Sequence, residues 1–430
     1  MELRVAGGAK GLRGTIHVPG DKSVTHRALL LGAMAAGSTR LRGALRAGVI
    51  DAMRDCLQAI GVEIDYLDEE ETVIQGTLWQ SPDRPLACRN SGTTMRFLMG
   101  ALAGSTVSAT LTGSHGLSRR PMSRVAEPLR RMGAQISGAN GSDEPPLRII
   151  GSALNGIEYE LPVASAQVKS AILLAGLNAQ GRTLIREPIA SRDHSERLLR
   201  HLGVSVIRSG DTLSLEPIQT PLSPFELKIP GDISAAAFAL AAAVLTPGSQ
   251  ITIENIGLNP TRTGLLDTLQ RMGAAIETSA IPANNGEPTG NLTAAFSVLK
   301  GIEVQGEQVV SMIDEIPIFA VAATQAQGET QIRGAAELRL KESDRLSVMT
   351  TELRKMGASI EENLDGLTIE GPTPLIGTRV SSHGDHRVAM ALSIAGMLAS
   401  GETLVSDAEV VKESYPGFKR TIRSIGAEIW

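Results

Sequence analysis

Aliphatic positions recur along this chain in two registers, one helical and one alternating. A short pattern returns six times: an aliphatic residue, two variable residues, an aliphatic residue, Gly, Ala or Val, any residue, then Ile or Val. It reads LQAIGVEI from Leu57, LRRMGAQI from Leu129, LRHLGVSV from Leu199, LQRMGAAI from Leu269, LRKMGASI from Leu353 and IRSIGAEI from Ile422. The spacing predicts a helix end, a glycine free to take positive φ, and a strand with alternate residues buried. The fixed glycines, Gly61, Gly133, Gly203, Gly273, Gly357 and Gly426, recur about every seventy residues, as expected of a repeated supersecondary unit.

Upstream of each lies a second element, an apolar helix closed by glycine and followed by a short strand. The helices are SVTHRALLLGAMAAG, GTTMRFLMGALAG, SAQVKSAILLAGLNAQG, DISAAAFALAAAVLTPG, DEIPIFAVAATQAQG and DHRVAMALSIAGMLASG. They are Ala- and Leu-rich nearly all round, so burial is predicted. The second helices, such as SRVAEPLRRMG and SDRLSVMTTELRKMG, are amphipathic, and their charged faces are predicted to be solvated. One unit therefore reads as strand, helix, strand, helix, strand, and six units divide as three plus three near Lys228. The segment Ile281–Asn291, IPANNGEPTGN, reads as a surface loop of the fourth unit.

The polar exceptions on the apolar helices gather at their N-terminal ends. These are Lys22, Ser23 and Arg27; Asn90, Gly92, Thr93 and Arg96; Ser165, Gln167 and Lys169; Gly231 and Asp232; Asp314 and Glu315; and Asp385, His386 and Arg387. Ser, Asn and Asp there serve as N-caps. A cap needs no cation, however, and a cation at the positive end of a helix dipole is unfavourable until an anion arrives. Arg119 and Arg120 form one further basic cluster. Arg339, Lys341 and Arg345 with Glu342 form another, in which Lys341 and Arg345 at i, i+4 are predicted to share a helix face.

The 430 residues carry a formal charge of −5, so these cations are local and not part of a basic field for nucleic acid. Aromatics make up 3%, too few for base stacking. Cys56 and Cys88, the only cysteines, have no metal-binding spacing and fit a reducing compartment. The N-terminus has no apolar signal region, and Ile233–Leu245 is too short to span a bilayer. GxSxG, HExxH, CxxC and GxxxxGK[ST] are absent. The residues therefore predict a site for one or two small polyanions, with carboxylates and a lysine for proton transfer.

PGDKSVTHRALLLGAMAAG, NSGTTMRFLMGALAG, LSRRPMSRV, ASAQVKSAILLAGL, SRDHSERLL, IPGDISAAAFALAAA, IDEIPIFAVAA, LRLKESDRL and GDHRVAMALSIAG together resemble the 5-enolpyruvylshikimate-3-phosphate synthases over essentially the whole chain. LSRRPM, SAQVKSA and SRDHSE are closer to the class II bacterial branch. The resemblance implies an inside-out α/β barrel fold in two domains, each of three βαβαββ units, with residues 21–228 forming one and 1–20 with 229–430 the other. It implies a cleft between them that closes on substrate. The implied reaction transfers the enolpyruvyl group of phosphoenolpyruvate to the 5-hydroxyl of shikimate 3-phosphate through a tetrahedral ketal phosphate. It uses no cofactor or metal, and the enzyme is expected to be a cytoplasmic monomer without nucleic-acid or membrane partners.

The matching motifs imply that Ser23, Arg27, Ser165, Gln167, Arg192 and Lys341 bind shikimate 3-phosphate. Lys22, Gly92, Arg120, Arg345 and Arg387 are implied for phosphoenolpyruvate, which Gln167 also reaches, and Asn90, Thr93 and Ala166 are implied for substrate binding without assignment to either. Asp314 is the implied base, Glu342 and Lys22 are alternative proton donors to the methylene carbon, and His386 supports the site. The chain departs from the family pattern at Arg89, where glycine is usual, and at GSHGLSRRP, which replaces an acidic loop. Arg89 is therefore expected to crowd or recharge the phosphoenolpyruvate loop. Gly92 lacks the added methyl that gives glyphosate tolerance in the family, so only these two departures remain as sources of it. Lys412 is a candidate late phosphate lysine of uncommitted register.

Three other readings fit less well. UDP-N-acetylglucosamine enolpyruvyl transferases start the first helix with Lys-Asn and carry a reactive Cys in the second unit's loop; here Ser23 follows Lys22 and that loop has no Cys. An inert six-repeat binding protein would not need the acids and the lysine. RNA 3′-phosphate cyclases call for a basic surface.

Overall fold

The computed structural model describes residues 1–281 and 286–430. Part of the loop expected at Ile281–Asn291 therefore lies outside the described residues. Its end is a strand, Thr289–Ala295, which pairs antiparallel with Ala275–Ile281.

One sheet plan recurs among the described residues. An edge strand pairs parallel with the strand after the buried helix, and two antiparallel strands follow. In the second repeat, Leu86–Ala87 pairs parallel with Ser108–Thr112, which pairs antiparallel with Leu147–Ile150, and that strand pairs with Gln135–Gly138. The edge strand of the first repeat comes from far along the chain, Glu226–Lys228 beside Ser38–Arg42. That of the fourth is Arg13–Ile16 beside Gln250–Gly257. In the sixth, Leu3–Ala6 pairs antiparallel with Glu402–Ser406. Five units are thus βαβαββ, as the alternating and helical runs imply, whereas the sixth sheet has three strands, Arg379–Ser381, Glu402–Ser406 and Leu3–Ala6, among the described residues.

Each of the six fixed glycines turns its helix into the next strand with φ between 80° and 105°. Only a residue without Cβ adopts that conformation at low cost.

The described residues group into two units. One holds Met1–Pro19, 230–281 and Pro288–Trp430; the other holds Gly20–Ile229 with Gly286 and Glu287. Each has its own apolar core. The core of the second is built on the helices Lys22–Met34, Gly92–Ala103 and Ala166–Gly176. Gly100 lets two of these meet, since a Cβ there would strike the Ala171 carbonyl. The core of the other unit surrounds Ile233–Leu245, buried at every residue, together with Ile316–Thr324 and His386–Leu398. No helix among the described residues is long and apolar enough to cross a membrane.

Candidate active site

Polar side chains collect at the start of the buried helices because the caps leave their N–H groups pointing outward. Asp21, Ser91, Ser165, Asp232 and Asp385 cap five of the helices through side-chain oxygens; Glu315 precedes the sixth without such a bond. Ser165 is therefore a cap, accepting from the Val168 N–H at 3.4 Å.

In the unit containing Gly20–Ile229, one cluster surrounds the start of the second buried helix. Gln167 Nε2 donates to Thr93 Oγ1 at 2.8 Å, and Arg96 Nη1 donates to Gln167 Oε1. A Cβ on Gly92 would lie 3.1 Å from both Arg96 Nη1 and Arg120 Nη1. Two guanidinium tips thus face a helix N-terminus beside a residue with no side chain, an arrangement suited to a phosphate or carboxylate. Asn90 Oδ1 accepts from Ser114 Oγ at 3.1 Å and braces the neighbouring loop.

Arg27 anchors a second cluster. It donates to Ser195 Oγ at 2.7 Å, Ser170 Oγ at 2.8 Å and the Ser23 carbonyl at 2.9 Å, and it lies over the Phe97 ring at 4.8 Å. Burial pulls its pKa down to about 10; Glu196, Asp21 and Glu287 oppose this, while the nearby Arg192 adds to it. Two cations held close in an interior favour a dianion as their counterion. Lys22 is the first residue of its helix, with Ala166 and Gln167 at the corresponding start of the third.

His26, one turn beyond Lys22, links these clusters. Its Nδ1–H donates to the Lys22 carbonyl at 2.8 Å, so Nε2 must accept from Ser91 Oγ at 3.3 Å. Burial lowers its pKa to about 4.

In the other unit the acids and bases converge on Arg345, whose side chain is 1% exposed. Its guanidinium donates to Asp385 Oδ2 at 2.8 Å, Glu342 Oε2 at 2.8 Å and Asp314 Oδ1 at 3.1 Å. Burial opposes the Arg345 charge, yet Asp385, Glu342 and Asp314 together hold it above the usual guanidinium range. Burial likewise works against the Asp385 charge, but Arg345 keeps that carboxyl below the usual carboxylate range. Asp314 also has Lys341 Nζ at 3.7 Å and Arg387 Nη2 at 3.7 Å, so one carboxylate sits among three cations. His386 opens the last buried helix directly beside Asp385 and Arg387.

Two expectations are corrected. Lys341 and Arg345 do not share a helix face, because Asp344 caps the helix at Arg345 and leaves Lys341 extended; both reach Asp314. Lys169 is not an anion donor at a helix start. It is buried and paired with Glu187 and Glu196. Arg89 takes φ +51° and turns its side chain to Asp55, which balances its charge away from Gly92. Lys412 is exposed on the turn Ala408–Glu413.

The family model for EPSP synthase (3-phosphoshikimate 1-carboxyvinyltransferase) matches residues 7–422. The chain belongs to the EPSP synthase family. A 3-phosphoshikimate 1-carboxyvinyltransferase of Thermodesulfovibrio yellowstonii is 48% identical over 96% of this chain and 97% of its own. The solved EPSP synthase of Acinetobacter baumannii is 40% identical, covers 100% of this chain and 99% of its own, and superposes with a TM-score of 0.89. The enolpyruvyl transferase NikO of Streptomyces tendae, 18% identical at a TM-score of 0.78 and covering 100% of this chain and 98% of its own, shares the fold. The chain is thus a transferase that moves the enolpyruvyl group of phosphoenolpyruvate to shikimate 3-phosphate in the shikimate pathway.

In this EPSP synthase family member, several residues that serve the site were not evident as site residues from sequence. Arg262 is buried and donates to Ser234 Oγ at 2.5 Å; Ser234 donates to Glu315, which meets Arg387 at 3.4 Å. Arg262 lies in LNPTRT, outside the starts of the six buried helices. Ser170 and Ser195 lie inside matched motifs without a cap position to mark them. Among the described residues no cluster of His, Cys, Asp and Glu could hold a metal.

Proposed function

We propose that Asp314 is the base that takes the proton from the 5-hydroxyl of shikimate 3-phosphate. The observation that carries this is its position among Lys341, Arg345 and Arg387, which favours the carboxylate over the acid. Shikimate 3-phosphate is assigned to Ser23, Arg27, Ser165, Gln167, Arg192 and Lys341. Phosphoenolpyruvate is assigned to Lys22, Gly92, Arg120, Gln167, Arg345 and Arg387, with His386 in support and Asn90, Thr93 and Ala166 lining the substrates without assignment to either. The guanidinium tips near Gly92 and the paired cations Arg27 and Arg192 support the split, since each substrate carries a phosphate and a carboxylate.

In the addition step the hydroxyl oxygen bonds to C2 of phosphoenolpyruvate, its proton passes to Asp314, and C3 gains a proton. The Lys22 ammonium has a proton to give. Glu342 accepts from Arg345 Nη2 and so offers a carboxylate that can take one from C3 in the elimination. Loss of that proton expels phosphate and restores the double bond. The two units, with the chain passing between them near residues 20 and 229, are read as the two domains. The motif matches favour the class II branch. Two buried free thiols fit a cytoplasmic enzyme, which we read as a monomer.

The test is phosphate release from phosphoenolpyruvate with shikimate 3-phosphate, run beside UDP-N-acetylglucosamine. Release with shikimate 3-phosphate alone, cut by roughly a hundredfold or more in Asp314→Ala, supports the assignment. An Asp314→Ala enzyme of normal kcat refutes the base.

A further inference from the structure

Four charged side chains lie behind Arg27 in the third repeat. Lys169 Nζ is 2.9 Å from Glu187 Oε2, 2.7 Å from Glu196 Oε1 and 3.3 Å from the Ser191 carbonyl. Lys169 and Glu196 are 0% exposed. Arg208 donates to Glu187 and approaches Glu196 at 3.5 Å, and Ser191 Oγ donates to Glu187 Oε1 at 2.6 Å. One buried ammonium thus grips the segment 187–196 at its start, its middle and its end. Arg192 directly follows the middle grip.

The helices Ala166–Gly176 and His194–His201, which carry Lys169 and Glu196, also hold Arg27 through the neighbouring residues. Ser170 adjoins Lys169 and Ser195 adjoins Glu196; both serines accept from Arg27 and are 2.7 Å from each other. In each pair, one residue joins the charge cluster and the next holds the arginine.

A buried charge cluster is a poor stabilising device, because desolvation offsets much of the attraction and well-packed apolar groups do as well or better. This one is also imperfectly satisfied, since Glu196 Oε2 is buried without a hydrogen-bond partner. Directional contacts at fixed points do give what apolar packing lacks, a single allowed path for the loop.

We propose that Lys169 is a positioning residue which, by clamping segment 187–196, sets Arg27 and Arg192 in place for shikimate 3-phosphate without touching the substrate. This rests on the reading that those arginines bind shikimate 3-phosphate.

The test compares wild type, Lys169→Met, the charge-balanced Lys169→Met/Glu196→Gln pair, and Arg192→Ala. Direct shikimate 3-phosphate binding by calorimetry is set beside KM for each substrate, kcat and Tm. Lys169→Met is expected to weaken shikimate 3-phosphate binding roughly tenfold or more, since small displacements of positioning groups are costly. KM for phosphoenolpyruvate at saturating shikimate 3-phosphate is expected to stay within about threefold. The double variant, which removes the uncompensated acid, should recover Tm but not affinity; it also decides the matter where the single variant fails to fold. Affinity returning together with Tm overturns the clamp, and so does an equal rise in both KM values. Normal binding by Lys169→Met beside weak binding by Arg192→Ala overturns the clamp alone. Normal binding by Arg192→Ala overturns the site reading and the clamp with it.

Discussion

Acid should loosen the unit that holds the first three repeats, and His26 should be the reason. Its ring is buried, donates to the Lys22 carbonyl and accepts from Ser91, which caps the helix opening at Gly92. Protonation would place a second N–H against Ser91 and a charge in the interior. Burial lowers its pKa to about 4, against about 6.5 in an unfolded chain. Between those values the unfolded state binds the proton and the folded state does not. The His26 contribution is therefore fully present above about pH 6.5 and is lost as pH falls toward 4. At about pH 4.5 the loss integrates to roughly 2–3 kcal/mol, against almost nothing at about pH 7. Asp385, Glu187 and Glu352 also titrate below their ordinary values, so their contributions are lost progressively as pH falls from the ordinary carboxylate range toward those lowered values, alike in parent and variant. Trp79 lies in the same unit as His26 and donates to the Ala33 carbonyl, whereas Trp430 is half-exposed in the other unit. Urea unfolding followed by Trp79 fluorescence, in a Trp430→Phe background, therefore reports on the His26 unit. His26→Gln should be less stable than its parent at neutral pH but should lose roughly 2 kcal/mol less between about pH 7 and 4.5. Equal losses in parent and variant would refute the reasoning.

Other outcomes follow from single residues. Arg89 holds φ +51°, so Arg89→Gly should be more stable than Arg89→Ala by about 1 kcal/mol, both having lost the Asp55 pair; urea midpoints decide it. Arg345→Lys puts one ammonium where a guanidinium reaches Asp385, Glu342 and Asp314, and steady-state kcat should fall about a hundredfold. Gly92→Ala sets a methyl 3.1 Å from the tips of Arg96 and Arg120, which are flexible enough to move, so KM for phosphoenolpyruvate should rise roughly tenfold while the urea midpoint changes little.

What could be read from the chain, and what could not, divides along a physical line. The six repeats were legible because periodicity is local: Ile233–Leu245 is apolar at every turn and is buried at every turn. The helix starts were legible for the same reason, as a cap lies beside the residue it caps. A cap also competes with any reading that runs across it, and Asp344 separates Lys341 from the helix face it was expected to share with Arg345. Lys169 shows the other limit. A cation one turn into a helix can point out toward an anion or inward to acids from elsewhere in the fold, and spacing within the helix cannot distinguish the two. The groups that brace the cations at the helix starts come from other repeats: Glu315 behind Arg387, Asp385 behind Arg345, and Ser195 behind Arg27. Each is a polar residue made tolerable in the interior by a partner remote in sequence, so its identity marks it as unusual but not as useful. The converse is a working rule for pseudo-symmetric chains. Once one anion-facing cation is placed at a helix start, the polar residues that break the apolar run on the neighbouring repeats should be searched first for the groups that hold it.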